Sequence, residues 1–354
     1  MNEKTTNRRK MDHIRIVNAD RATDREKGYF DAIRLTHRAL PELDLDAIDP
    51  SINFLGKTLS FPLVLSAMTG GDHTMLRKIN RNLARAAEAT GVAMSVGSQR
   101  VMFSRPVAAN SFALRQYAPT APLLANLGAV QLNKGFGLDE CRQAIEVLEA
   151  DGLYFHLNPL QEAIQPEGDI HFANLAEKIG RIARQLSKPV LLKEVGAGFS
   201  TADARLAISQ GIRYVDIAGS GGTSWSRVEH FRQMKNNPSD MGLIFQDWGL
   251  PTPLALQLLR PFRDRLTLIA SGGIRSGVDM VKAMALGASL CGLAQPLLKP
   301  AMTSADTVIE FILRLKKEFT TCLFLMGLRQ APELVGNDSV IVHDPVTGKL
   351  CTSW

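Results

Sequence analysis

The sequence predicts a (β/α)8 barrel. Eight short apolar, β-prone runs recur along the chain, each ending in Gly, Ser, Asn or another polar residue. Amphipathic helical patterns lie between most of them. Near-continuous apolar strands suit a parallel sheet covered on both faces. Strand–helix alternation repeated to an even count of eight favours closure, with an open doubly wound sheet as the alternative.

The runs are residues 61–68 (FPLVLSAM), 91–98 (GVAMSVGS), 121–128 (APLLANLG), 152–159 (GLYFHLNP), 189–196 (PVLLKEVG), 214–221 (YVDIAGSG), 266–273 (LTLIASGG) and 288–295 (ASLCGLAQ). Helical patterns cover 75–90, 138–150, 172–187, 201–210, 252–261 and 276–287, and 301–328 adds a C-terminal helix. Thr201 and Ser276 fall at N-cap positions, and Gly211 and Gly287 fall where helices end in glycine. The division is one domain: an N-terminal extension (1–60), the barrel (61–298) and a C-terminal helix and tail (299–354). Residues 223–250, which contain NNPSD, interrupt the repeat for long enough to suggest a lid or binding loop.

Composition narrows the function. The 354 residues are 45% hydrophobic and 21% charged, an ordinary globular mix. No apolar run approaches the ~18 residues of a membrane span, and the charged start lacks the apolar core of a secretory signal. Four dispersed cysteines with no C-x-x-C pair read as reduced thiols, which suggests a cytoplasmic protein. A net charge of +6 with 6% aromatic residues and no dense basic run argues for an anionic small molecule over nucleic acid.

Active sites of such barrels lie at the C-terminal ends of the strands, so the polar residues there are the candidates. The seventh and eighth strands end in SGGIRSG and GLAQP. Glycines let backbone N–H groups approach an anion, and Ser276 opens a helix whose N-terminus attracts negative charge. The alternative is a tight turn that merely requires glycine. AGSGGTSW after the sixth strand adds the Thr223 hydroxyl, or serves as a hinge. Lys193 ends an apolar run, where a lysine is costly unless something negative is near. It stabilises charge on a flavin or phosphate, forms a Schiff base, or pairs with Glu194 or Asp216. Tyr154, His156 and Asn158 share one strand face by period two. Glu162 is a lone carboxylate that suits Mg²⁺ whose other ligands are water and substrate phosphate. Arg9 and Lys10 in the basic start either stay solvated or fold over an anion at the barrel mouth.

The pieces RKMDH, SAMTGG, SVGSQR, ANLG, HLNPLQE, LLKEVG, AGSGGTSW, DWGLPT and ASGGIRSG run from residue 9 to about 297 in barrel order. Together they resemble the type 2, FMN-dependent isopentenyl-diphosphate delta-isomerases. The resemblance implies a flavoprotein that interconverts isopentenyl and dimethylallyl diphosphates, with NADPH serving only to reduce FMN. It implies flavin contacts at Ala67, Met68, Thr69, Ser98, Asn126, Lys193 and Thr223, and phosphate contacts at Gly273, Ile274, Arg275, Ala294 and Gln295. Substrate would meet Arg9, Lys10, Ser98, Gln99, Arg100, His156, Asn158 and Gln161. Catalytic roles would fall to Gln161, His156 and Lys193, and Mg²⁺ to Glu162. The family also implies a symmetric homo-oligomer, a tetramer or octamer. Ala218 departs from the pattern, which often has Ser there. The rival is an FMN-dependent oxidoreductase of an anionic small molecule. Two absences count against it: no histidine lies between His230 and His343, and residues 219–250 hold no cysteine.

Overall fold

The computed structural model describes residues 3–234 and 239–342. Part of the NNPSD segment and the tail from residue 343 lie outside the described residues. All eight apolar runs form strands: β1 (Leu63–Leu65), β2 (Ala93–Ser95), β3 (Leu123–Gly128), β4 (Gly152–Leu157), β5 (Val190–Glu194), β6 (Tyr214–Asp216), β7 (Thr267–Ser271) and β8 (Leu290–Leu293). Every neighbouring pair is parallel, and β8 pairs with β1, so the sheet closes into a barrel. The open-sheet alternative is thereby excluded.

Period-two alternation divides each strand between two cores. Val64, Ala93, Leu124, Tyr154, Leu191, Ile269 and Leu290 fill the barrel interior. An antiparallel hairpin, Ile52–Phe54 with Lys57–Leu59, brings Phe54 and Leu59 into that same cluster and plugs one end. The alternate residues, among them Leu63, Leu65, Leu153, Val190 and Leu192, meet the surrounding helices in a much larger core.

The helices are α1 (Glu3–Ala19), α2 (Thr74–Thr90), α3 (Arg100–Ser104), α4 (Leu138–Leu148), α5 (Pro159–Ile164), α6 (Leu175–Gln185), α7 (Thr201–Ser209), α8 (Trp225–Gln233), α9 (Met241–Ile244), α10 (Thr252–Leu259), α11 (Gly277–Ala285), α12 (Gln295–Thr303) and α13 (Ala305–Met326). Three details differ from the sequence reading. Ser200, not Thr201, caps α7, in a reciprocal pair with Asp203. The single C-terminal helix is two helices, because Ser304 leaves the helical path and caps the Thr307 N–H. The long interruption carries α8 and α9, with Val228, Glu229 and His230 buried. Among the described residues no helix is long and apolar enough to cross a membrane.

The loops after β6 and β7 touch backbone to backbone. Gly272 has φ +92°, and a Cβ there would stand 2.1 Å from the Gly219 carbonyl oxygen. Gly272→Ala is therefore expected to lose at least about 2 kcal/mol of stability, from left-handed strain plus the clash. Urea denaturation measures it, and a wild-type midpoint would contradict the close approach.

Candidate active site

At the C-terminal end of the barrel the inward-facing residues turn polar and line a cleft of about 260 Å3. Asn126, His156, Lys193 and Ser271 come from β3, β4, β5 and β7. Strand register sets them side by side, with Lys193 opposite His156 on one flank and Asp216 on the other. The Lys193 ammonium bonds Asp216 Oδ2 at 2.7 Å, so of the two carboxylates named from sequence, Asp216 is the partner. Glu194 points to the outer face. Its carboxylate accepts the N–H groups of Val195, Gly196 and Ala197 and shapes that turn. Burial raises it to about 7 despite those bonds.

Backbone groups fix the protonation of His156 through two amides. Gln99 Nε2 donates to the Ala144 carbonyl at 2.9 Å, so its Oε1 accepts the Asn126 N–H at 3.0 Å. Asn126 Nδ2 donates to the Val96 carbonyl at 3.0 Å, which turns Oδ1 toward His156 Nδ1, 2.7 Å away. The neutral ring therefore carries its proton on Nδ1 and bares Nε2 as an acceptor. Burial, then the charges of Lys193, Lys10, Arg100 and Arg9, push its pKa down to about 4. This corrects Gln99: it is wholly buried, does not line the cleft, and supports Asn126 instead of facing substrate. The other residues that the family resemblance assigns to flavin, substrate or Mg²⁺ all line the cleft.

Helix α1 lies over the mouth. Lys10, His13, Ile14 and Val17, spaced at one to two turns, all face the cleft. Lys10 donates to the Gly70 carbonyl, and to the Ser98 carbonyl at 3.0 Å. Burial and then the Arg9 charge lower it to about 7. His13 Nε2 lies 2.9 Å from Glu229 Oε1 and stacks edge-on with Trp225. Glu229, on α8, also accepts Gln161 Nε2 at 2.8 Å and Arg232 Nε at 2.6 Å. Burial would raise this carboxyl, but His13, Arg232 and Gln161 hold it down to about 2. Its ionised form fixes the Gln161 amide, whose Oε1 faces Asn158 Nδ2 at 3.1 Å. Arg100 pairs with Asp169 at 3.0 Å beside the same opening.

Glu162 accepts Asn158 Nδ2 at 2.8 Å, the Asp169 N–H at 2.7 Å, and Gln165 Nε2. The buried amide oxygens Asn158 Oδ1 and Gln165 Oε1 have no hydrogen-bond partner among the described residues. A carboxylate with adjacent unsatisfied carbonyl oxygens fits a hard, water-carrying cation such as Mg²⁺.

The glycine end needs a second correction. The N-terminus of α11 is filled from within: Asp279 accepts the Arg275 and Ser276 N–H groups, and Glu318 accepts that of Gly277. By contrast, α12 has Ala294 at its N-cap, which offers no side-chain cap, and Ala294 and Gln295 both line the cleft. The free positions for an anion here are therefore the start of α12 and the loop of Gly273 and Ile274, which line the cleft, and not the helix that Ser276 opens. Arg275 is tied to Asp24. In the same cleft, Ser66 Oγ and Thr69 Oγ1 are buried without partners among the described residues, and Gly222 packs so that a Cβ would lie 2.9 Å from the Gly273 nitrogen. Unpaired hydroxyls, a glycine-lined trough and an uncapped helix start fit a flat, phosphorylated cofactor such as FMN.

Comparison with known proteins decides the family. The sequence pattern of the FMN-dependent dehydrogenase family matches residues 3–122 and 158–341. The isopentenyl-diphosphate delta-isomerase of Paracoccus zeaxanthinifaciens is 57% identical over 337 residues, covering 94% of this chain and 96% of that protein. The chain belongs to the FMN-dependent isopentenyl-diphosphate delta-isomerases. The Hydrogenovibrio crunogenus isomerase is 53% identical and covered in full. A flavocytochrome b2 variant with sulfite bound superposes with TM-score 0.67 at 20% identity, covering 95% of this chain and 82% of that one. That likeness is of fold alone.

Three site residues of this isomerase escaped the sequence reading: His13, Glu229 and Trp225. The spacing Lys10–His13–Val17 on one helical face was the available signal for His13. The only local mark of Glu229 is Arg232 three residues on, a spacing common on solvated helices, and its partner His13 is 216 residues away.

Glu229 gives a pH signature. Its carboxyl is depressed on folding, so its stabilisation is present above the unfolded value near 4.5 and is lost as pH falls toward 2. Glu229→Gln should flatten that loss, by roughly 3 kcal/mol in an acid-denaturation series. An unchanged acid limb would contradict the ionised cluster.

Proposed function

We propose that the enzyme interconverts isopentenyl and dimethylallyl diphosphates by proton transfer with no net redox change. In this reading FMN works reduced, NADPH is its initial reductant, and Mg²⁺ sits on the diphosphate. The observation that carries it is the division of one cleft into a cationic mouth and a buried Lys193, with Ile14, Val17, Trp225 and Leu298 among the apolar lining. That suits a molecule with an anionic head and a short hydrocarbon tail.

Protonating an unactivated alkene is beyond ordinary side chains, and reduced FMN supplies the acid–base capacity they lack. The chain supplies placement and charge. Arg9, Lys10 and Arg100 hold the diphosphate away from the reacting carbons, so that remote binding energy orients the alkene. His156 offers the bare Nε2, and it can donate to the diphosphate only after taking a proton there. Glu162 carries Mg²⁺, with Asn158 and Gln165 oxygens as further ligands. Gln161, locked between Glu229 and Asn158, presents its amide to the reactive end. Lys193 would face the flavin edge where charge develops on reduction. Ser98, Asn126, Thr223 and the Ala67, Met68, Thr69 segment would line the ring. The exposed apolar side chains of Ile244 and Trp248 accord with assembly into a symmetric tetramer or octamer. The free thiols Cys141, Cys291 and Cys322 accord with a cytoplasmic enzyme.

Lys10→Met is expected to raise the KM for isopentenyl diphosphate at least tenfold while the flavin absorbance of the purified protein stays unchanged. A KM within twofold of wild type would remove Lys10 from the diphosphate. Glu162→Gln should shift the Mg²⁺ activation curve to at least tenfold higher concentration with flavin retained, and an unmoved curve would take Glu162 off the metal.

A further inference from the structure

The hydrogen-bond count around Lys193 goes beyond the lysine itself. An ammonium has three N–H bonds and no acceptor. One goes to Asp216 Oδ2 at 2.7 Å and a second to Ser271 Oγ at 3.2 Å. The Ser271 hydroxyl hydrogen is committed to Asp216 Oδ1 at 2.5 Å, so the serine oxygen is free to accept from the lysine. Both carboxylate oxygens and both hydroxyl roles are thereby used on the barrel side. Tetrahedral geometry sends the third N–H away from these two partners, toward the cleft that Lys193 lines.

The strands impose this arrangement. Lys193 and Asp216 are register partners on β5 and β6, and Asp216 is paired in turn with Ile269, two residues before Ser271 on β7. On β8, Gly292 leaves the room: a Cβ there would fall 3.0 Å from that of Ser271 and 2.4 Å from Ser66 Oγ. Asp216 is wholly buried, Ser271 nearly so, and Lys193 is 6% exposed. On the other flank His156 turns its only N–H to Asn126 and does not compete for the carboxylate. A buried ion pair is seldom a net source of stability, and apolar residues of the same volume would serve folding as well.

We propose that Asp216 and Ser271 are positioning residues that aim the Lys193 ammonium, as a fixed cation, at the bound flavin. This rests on the reading that Lys193 meets the flavin edge. An ammonium deprived of its counter-ion in so buried a place turns away or sheds its proton, and either change removes positive charge from the reduced, more negative flavin.

The test is the midpoint potential of the bound FMN, measured by anaerobic titration of the holoenzyme at fixed pH, with occupancy read from absorbance. Lys193→Met and Asp216→Asn should each weaken reduced relative to oxidised flavin at least tenfold, which lowers a two-electron potential by about 30 mV. Ser271→Ala, which keeps the ion pair, should cost about threefold. The double variant Lys193→Met with Asp216→Asn should fall no further than Lys193→Met alone. A potential in Asp216→Asn that stays or rises while Lys193→Met falls overturns the proposal, as does an additive drop in the double variant. Should Asp216→Asn not fold, Ser271→Ala decides alone: a wild-type potential there overturns it. A wild-type potential in Lys193→Met instead refutes the underlying placement of Lys193, a distinguishable failure.

Discussion

A charged ammonium buried inside a closed parallel barrel sets the terms for everything around it. Lys193 sits where alternation along β5 must turn it inward, and charge in that interior is costly unless paired. Asp216 answers it from the next strand and Ser271 from the one beyond. Asp216 in turn acts on Tyr154, whose phenol is pushed well up by burial and then by the carboxylate. The barrel thus ends in a polar layer whose members are fixed by one another and by strand register, which leaves the lysine little freedom except toward the cleft.

Against that rigid floor stands a roof made of other elements. Helix α1 crosses the mouth and is held there by His13 on Glu229 and by Lys10 on the Gly70 and Ser98 carbonyls. Asp24 pairs with Arg275, and the Asp24–Thr223 bridge joins the same N-terminal segment to the glycine loop after β6. The cations that suit a diphosphate therefore come largely from the roof, and the group that suits a flavin comes from the floor. A barrel of this kind does not by itself specify the reaction. The residues placed upon it do.

The strands were legible because their burial on both faces leaves continuous apolar runs, and each run predicted a strand within a few residues. The polar ends of those runs likewise exposed Asn126, His156, Lys193 and Thr223. What sequence could not reveal depended on pairing at a distance. Gln99 sits in a motif that resembles a substrate loop, yet its amide is consumed by the Ala144 carbonyl and the Asn126 N–H. The start of α11 reads as an anion site until Asp279 and Glu318 are seen to fill it. Glu229 gave little local signal because two of its partners, His13 and Gln161, lie on other segments, α1 and α5, and only Arg232 shares its helix. Even the long C-terminal helix broke at Ser304, where capping outweighed a continuous apolar pattern.

On the proposed mechanism the enzyme moves protons and leaves the electron count of its substrate unchanged. Anaerobic incubation of the pre-reduced holoenzyme with isopentenyl diphosphate in deuterated water tests it most directly. Deuterium appearing in many turnovers of dimethylallyl diphosphate, with no further consumption of reductant, is the predicted result. One equivalent of reduced pyridine nucleotide or of dioxygen used per product molecule would contradict it.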